Sequence, residues 1–442
     1  MNWEVLSLMG IIIGLTLLIW LSFKGYSLIV IGPVASVVVL LLSNTSIIAG
    51  LTGAYATAFA GFAQKNFLIF LPAIILGQML GACGAAHDIA YAVANLASKA
   101  KGNTKFVTLM GLSVITAILS FGGVSGFIIV FTVAPICKEL FRKLDIPWHL
   151  VIAVMVYGGS MWTAILPGSP AIQNLIPMDY LGTKPTAGPM IGIIIAIWCI
   201  ITGAIYIYWM LKRCEKRQEG FMLTGAKIEA VWPDNEEADL RQHGSVVKAL
   251  MPSMVLIITL DFVGLAPEAA LTLGVLTCAI LYFKKFDDLP GLLSDGAKKT
   301  AVTVINVCAV VGFGGVIANV TGFDFFVRGL AAIPGPPLIQ LALATNIVAG
   351  ITGSASGGEG IAMQMLVPRY VEMGINPDVI HRIVNISCYG LDSLPHNGSV
   401  VTRLQHTHLT HRQGYYHEFI LGAVLPFFNS FLAVGLAYLG VV

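Results

Sequence analysis

Charge is what this chain has least of. Asp, Glu, Lys and Arg make up 11% of its 442 residues, against 57% hydrophobic residues and a mean hydropathy of +0.84. A soluble domain carries about 25% charged residues, so an ordinary water-facing surface is excluded and the bilayer becomes the reference solvent. The net charge is only +2, and no basic patch is interleaved with aromatics, which argues against nucleic acid as a partner. The seven cysteines stand singly, without CxxC spacing and mostly inside apolar runs. They read as small core hydrophobes, and no metal site or disulfide framework is expected of them. There is no GxxxxGK[ST] phosphate loop, which argues against ATP-driven transport by this chain alone, and no HExxH or GxSxG, which argues against the common hydrolases. The expectation is a chain that is not an enzyme and carries no cofactor.

Apolar sequence is what remains, in blocks. A helical span needs about 20 apolar residues. Full-length candidates lie at 5–23, 26–43, 67–86, 188–211, 247–264, 266–283, 301–320 and 416–440. The start, MNWEVLS, has Glu4 where a signal peptide has basic residues, so the first block reads as a retained helix. The long polar run 213–246, read as a cytoplasmic linker, separates two halves, 1–212 and 247–442. Landmarks recur between them in order: Asp88 and Asp324, Ser125 and Ser356, Pro135 and Pro368, Pro147 and Pro377, Tyr157 and Tyr389, Pro167 and Pro395. These pairs are all 228 to 236 residues apart, the footprint of an internal repeat.

Basic residues accumulate on the cytoplasmic side. With both termini outside, 20 of the 25 Lys and Arg fall inside, leaving Lys65, Lys184, Arg328, Arg369 and Arg382 at or near the outer interface. The two halves then run in opposite orientation. The fold expected is an all-α polytopic membrane protein of two inverted-topology repeats, with re-entrant hairpins and broken transmembrane helices. One hairpin spans 104–141, with limbs 104–120 and 125–141 around FGGVSG. Its partner spans 337–373, with limbs 337–350 and 361–373 joined by TGSASGGEG. A broken helix follows each, at 148–180 and 377–410, the first pieces running over 148–166 and 377–392 before PGSP and PHNG.

Non-helical backbone at membrane depth is tolerated only where it lines a cavity or is buried in protein. Fresh half-helix amino termini offer free N–H groups and the positive end of the dipole, which suit a carboxylate. Ser169, Asn174, Asn397 and Ser399 beside the helix breaks, and Ser125, Ser354 and Ser356 at the hairpin tips, are the substrate-binding candidates. No Lys or Arg sits within the four breaks. Asp392, His396 and Glu359 are the ion-coupling candidates, because an ionisable group in a span is costly and marks function by default. The plain alternatives are proline kinks with locally satisfied Ser and Asn, Asp392 as a cap, His396 as a core histidine and Glu359 facing a vestibule. His406, His408, His411 and His417 fit no helical face well and read as an interfacial basic stretch, not a metal site.

The stretches LPGSPAIQNLIP, GITGSASGGEGIAM and GLDSLPHNGSVV resemble the gluconate permease (GntP-type) family, especially its hydroxybutyrate-permease-like branch, within the ion transporter superfamily of organic-anion carriers. The resemblance implies a secondary transporter, a proton symporter importing a short hydroxy- or keto-monocarboxylate such as 3-hydroxybutyrate or gluconate. It also implies an elevator-like movement, a homodimer in the cytoplasmic (inner) membrane, and H+ or Na+ as the coupling ion. A sodium-coupled carboxylate carrier or a cation/proton antiporter is the alternative; a channel or a membrane sensor is a more distant one.

Overall fold

The computed structural model describes residues 3–24, 26–85, 88–89, 103–121, 126–169, 171–231, 245–259, 263–331 and 335–442. Helices account for all its regular structure, with no strand among the described residues. In chain order they are α1 (Trp3–Phe23), α2 (Leu28–Leu42), α3 (Ile47–Ala82), α4 (Thr104–Phe121), α5 (Gly126–Lys143), α6 (Leu150–Gly159), α7 (Ile172–Leu181) and α8 (Pro189–Lys216). After two short helices, Phe221–Thr224 and Ala226–Val231, come α9 (Val246–Ile257), α10 (Pro267–Leu281), α11 (Leu289–Ala318), α12 (Thr321–Ala331), α13 (Pro337–Thr352) and α14 (Ala355–Met365). The chain ends with α15 (Val367–Glu372), α16 (Pro377–Ser387), α17 (Gly398–His406) and α18 (His411–Tyr438).

Among the described residues, six helices are long and apolar enough to cross a membrane: α1, α3, α4, α8, α11 and α18. α8 shows why water is the wrong solvent for this chain. Ile191, Ile195, Cys199 and Ile207 face inward and are buried, while Ile193, Ile197, Ile201 and Ile205 on the other side are 40 to 62% exposed. A contiguous aliphatic stripe of that kind is stable against lipid and unstable against water. The chain is an all-α polytopic membrane protein.

The packing exchanges in pairs. Each hairpin closes on itself, α4 on α5 and α13 on α14, and packs on the helix that follows it, α6 or α16. Each second limb also crosses to the other half: α5 meets α17, and α14 meets α7. α2 packs on α11 as α10 packs on α3, and α8 covers α4 and α6 as α18 covers α13 and α16. Of the sequence landmarks, Pro147 stands just before α6 and Pro377 at the start of α16, and Pro167 and Pro395 lie in the breaks that follow them.

Several expectations need correction. The span read at 67–86 is the end of a 36-residue helix, α3, that begins at Ile47. The second hairpin turns only at Gly353 and Ser354, and its limb resumes at Ala355, not at 361. Gly353 is left-handed with φ +60, and Ser354 caps α14 by accepting from the Gly357 N–H. The glycines that looked like loop are helical because the limbs cross closely: a Cβ on Gly358 would lie 2.3 Å from Ala349 Cα. Glu359 thus sits on a helix, not on a tip. α6 and α16 also stop early, at Gly159 and Ser387, so the breaks are longer than PGSP and PHNG. Part of the polar run at 213–246 is docked structure. Phe221 N–H donates to Asp145 Oδ1 at 2.7 Å, Trp148 N–H donates to Thr224 Oγ1 at 2.7 Å, and Glu229 lies 3.8 Å from Lys138 and 3.6 Å from Arg142.

Candidate functional site

The first break, residues 160–171, opens where the Ser120 hydroxyl takes the Gly159 carbonyl and ends the helix. Ser169 and Asn174 are both fully buried. Ser169 Oγ accepts from Ala171 N–H at 3.3 Å, and Asn174 Nδ2 donates to the carbonyls of Ser169 and Pro185, both at 2.8 Å. Asn174 Oδ1 accepts from Arg382 Nη1 at 3.2 Å and lies 3.2 Å from His381 Nε2, whose other nitrogen is 2.7 Å from the Thr183 hydroxyl.

Arg382 adds what the sequence reading lacked. It is fully buried in protein, and although no basic residue lies within the breaks, its guanidinium reaches into the first one. Nε donates to Ala187 O at 2.9 Å, Nη1 to Ile165 O at 2.9 Å and Asn385 Oδ1 at 3.1 Å, and Nη2 to the carbonyls of Pro185 and Ala187. A planar five-donor fork lets one side chain tie the Ile165 carbonyl of the break to the Pro185 and Ala187 carbonyls of the loop before α8.

The second break, residues 388–397, is polar in a different way. Asp392 accepts from Ser393 Oγ at 3.0 Å and from Asn397 Nδ2 at 3.3 Å. Asn397 caps α17, its Oδ1 accepting from Ser399 N–H at 2.6 Å, Ser399 Oγ at 2.7 Å and Val400 N–H at 3.1 Å. Ser399 Oγ accepts from Arg403 Nη2 at 3.2 Å, and Arg403 forms a two-pronged pair with Glu418 at 2.9 and 2.6 Å. Asp392, Asn397, Ser399, Arg403 and Glu418 thus form one chain of hydrogen bonds, buried except at the half-buried Ser399. Arg403 was expected on an interfacial basic stretch, yet it is 5% exposed. The buried carboxylate of Glu418 holds it there.

Two groups stand outside these networks. His396 is 1% exposed, and neither ring nitrogen has a hydrogen-bond partner among the described residues. The ring lies against the turn of the second hairpin, where a Cβ on Gly353 would be 2.6 Å from its Cδ2. Glu359 is fully buried, and among the described residues neither carboxylate oxygen has a hydrogen-bond partner; it lies within electrostatic range of Arg382. Ser354 and Ser356 are half-buried beside the exposed Gly357 at the start of α14. Ser125 lies outside the described residues. The four histidines do not gather. His406 meets the Phe131 ring edge-on at 4.5 Å, His411 Nε2 is 3.0 Å from Pro395 O, and His417 Nε2 is 2.7 Å from His149 Nδ1.

Sequence reasoning missed His381 and Arg382, though the signal was present: two adjacent ionisable residues inside VIHRIVNIS, in a stretch that packs as core. Glu418 had no such mark, because it follows four polar residues of the interfacial-looking stretch HRQGYYHE.

A family model described as "Na+/H+ antiporter family" matches residues 240–436, a stretch that includes Glu359, Asp392 and His396. A Bacillus subtilis (strain 168) protein described as "Uncharacterized transporter YxjC" is 30% identical over 452 aligned positions, covering 93% of this chain and 94% of that one. An "Uncharacterized transporter" of Haemophilus influenzae is 24% identical over 333 positions, covering 74% of each. Among solved structures, the YdaH transporter of Alcanivorax borkumensis is similar at a TM-score of 0.35 with 14% identity over 89% of each chain. With 30% identity to YxjC across nearly the whole of both sequences, this multi-pass membrane protein belongs to the YxjC family of transporters.

Proposed function

We propose that the protein is a secondary active transporter in which proton exchange at Glu359 and Asp392 drives uptake of a small organic anion, a short hydroxy- or keto-monocarboxylate. The observation that carries the reading is Glu359: a fully buried carboxyl with no hydrogen-bond partner among the described residues, in electrostatic range of a buried guanidinium. A permanently ionised carboxylate there is costly. A group that takes and releases a proton as the site changes exposure is not. Asp392, tied to Asn397 and Ser399, relays its charge state to the amino terminus of α17. The start of α14 turns the N–H groups of Ala355 and Ser356 and the positive end of the helix dipole toward the substrate carboxylate, with the Ser354 side chain holding the Gly357 N–H. Ser169, Asn174, Asn397 and Ser399 hold the half-helices that frame this position, and gluconate permease-like motifs support the choice of substrate class.

A second reading, exchange of a cation for protons, is favoured by the antiporter description of the family model over 240–436. Proteoliposomes separate the two. The first reading expects labelled 3-hydroxybutyrate or a similar monocarboxylate to accumulate under an inward proton gradient without added sodium. The second expects 22Na+ flux driven by a pH gradient and no carboxylate uptake. Under either, Glu359→Gln should abolish gradient-driven accumulation. In the symport reading it should also spare substrate exchange at equal concentrations. Undiminished accumulation in Glu359→Gln would remove this residue from the mechanism.

A further inference from the structure

At the opposite end of α8 from its Pro189 start, three ligand-bearing side chains from separate segments converge. His149 precedes α6, Cys214 lies in the last turn of α8 and Glu219 follows it. His149 Nε2 is 3.9 Å from Cys214 Sγ and 3.4 Å from Glu219 Oε2, and the three donor atoms all lie within 4.8 Å of one another. In a tetrahedral zinc centre, bonds of about 2.3 Å to sulfur and about 2.0–2.1 Å to nitrogen or oxygen set neighbouring donors roughly 3.3–3.6 Å apart. These atoms stand near the spacing a single ion imposes. A thiolate, an imidazole and a carboxylate together suit a borderline-soft cation, whereas Mg2+ and Ca2+ prefer oxygen throughout.

The surroundings resemble the outer shell of a metal centre. His149 Nδ1 is 2.7 Å from His417 Nε2, and His417 Nδ1 is 2.9 Å from the Tyr206 hydroxyl, with His417 only 1% exposed. The two imidazoles stack at 5.0 Å and 9°. Such a relay can point either way without burying a net charge. In one direction Tyr206 donates to His417, His417 to His149, and His149 Nε2–H faces Glu219. In the other, His149 Nδ1–H donates to His417 Nε2 and His417 Nδ1–H to Tyr206, which frees the lone pair on His149 Nε2 for a metal. Both forms hold the same number of protons. A metal-ligating histidine usually has its other nitrogen fixed by a partner of this kind. His149 and Glu219 keep 15% and 26% of their side-chain surface exposed, so the site has an entry path.

We propose that His149, Cys214 and Glu219 bind one Zn2+, with His417 and Tyr206 as positioning residues, clasping the segment after α8 onto the start of α6. On binding, the Cys214 thiol releases its proton to solvent and the relay reverses. The proposal is independent of what the protein transports.

The test uses full-length protein in detergent, stripped with chelator and titrated with Co2+ and then Zn2+. One equivalent of Co2+ should give a thiolate-to-cobalt charge-transfer band and the visible bands of a four-coordinate ion, displaced by Zn2+ and unaffected by Mg2+. Cys214→Ser should remove the charge-transfer band, and His149→Ala should remove tight binding. His417→Ala should weaken affinity about 10–100-fold while keeping the band, the mark of a positioning residue. A band that persists in Cys214→Ser, or a purely six-coordinate spectrum, overturns the proposal. If Cys214→Ser or His149→Ala does not purify as a monodisperse species, Glu219→Gln decides, since unchanged Zn2+ affinity there also overturns it.

Discussion

The first break, 160–171, and the second, 388–397, interrupt equivalent helices and sit behind equivalent hairpins, but their polar atoms have different employment. In the first, a guanidinium from the other half of the chain takes the carbonyls of Ile165, Pro185 and Ala187, and Asn174 closes the remaining gaps. The second contains Asp392 and His396 and has Glu359 on the hairpin limb packed beside it. Among the described residues Glu359 has no hydrogen-bond partner, and His396 makes no hydrogen bond of regular geometry. One break is a fixed strut and the other holds capacity for change. Two breaks of similar placement therefore differ in what their polar atoms are bonded to.

The sharpest way to break this comparison is to remove the clamp. Arg382→Met removes the donor held by the Ile165 and Ala187 carbonyls and by Asn385 Oδ1. It also takes one donor from Pro185 O, which keeps Gly168 N–H and Asn174 Nδ2, and one from Asn174 Oδ1, which keeps His381 Nε2 beside it. Each unsatisfied buried acceptor costs about 1–3 kcal/mol, so the variant should fail to give a monodisperse peak on size-exclusion chromatography. Arg382→Lys should rescue it little, since an ammonium cannot reproduce the planar fork. A wild-type melting temperature in Arg382→Met would show that the first break does not depend on the clamp.

Next in size is the Arg403 and Glu418 pair behind the second break, 6% and 1% exposed at the side chain. Breaking a buried pair from one side costs about 3–5 kcal/mol, whereas replacing both partners by apolar residues of similar volume is often neutral. Arg403→Met and Glu418→Gln should each lower thermal stability strongly, and Arg403→Met with Glu418→Met should recover most of it. Transport in the recovered double variant then asks whether the pair tunes Asp392 or merely holds α17 to α18. Equal stability in the single and double variants would dissolve the coupling.

The contrast between the breaks also explains how much the sequence revealed. Periodic apolar blocks and the paired Gly and Pro landmarks made the helical class and the order of elements legible, because they are local consequences of backbone chemistry. The helical state of Ala355–Met365 was hidden, since SASGGEG has poor helix propensity and is helical for a non-local reason, the close crossing at Ala349. The Arg382 clamp was hidden similarly: its acceptors are carbonyls some 200 residues away, which no spacing rule marks. Asp392, His396 and Glu359 stood out because ionisable residues are rare in this chain. Which of them would lack partners could be read only from the packing.

The smallest effect isolates His396. Gly168 and Gly353 turn the chain in the two halves with left-handed backbones, φ +83 and +60. Forcing an L-residue into that conformation costs about 1–2 kcal/mol, so Gly168→Ala and Gly353→Ala should share a modest loss of thermal stability. Their surroundings differ. A methyl on Gly168 meets only Thr186 Cγ2 at 3.9 Å, whereas one on Gly353 would stand 2.6 and 2.8 Å from Cδ2 and Nε2 of His396. The ring must move, and with it the contact between hairpin turn and second break. Gly168→Ala should keep wild-type uptake per folded molecule, and Gly353→Ala should lose several-fold. If His396 only fills space, His396→Phe should retain uptake and the Gly353→Ala defect is steric. If the imidazole takes part in coupling, His396→Phe should lose gradient-driven accumulation while remaining folded.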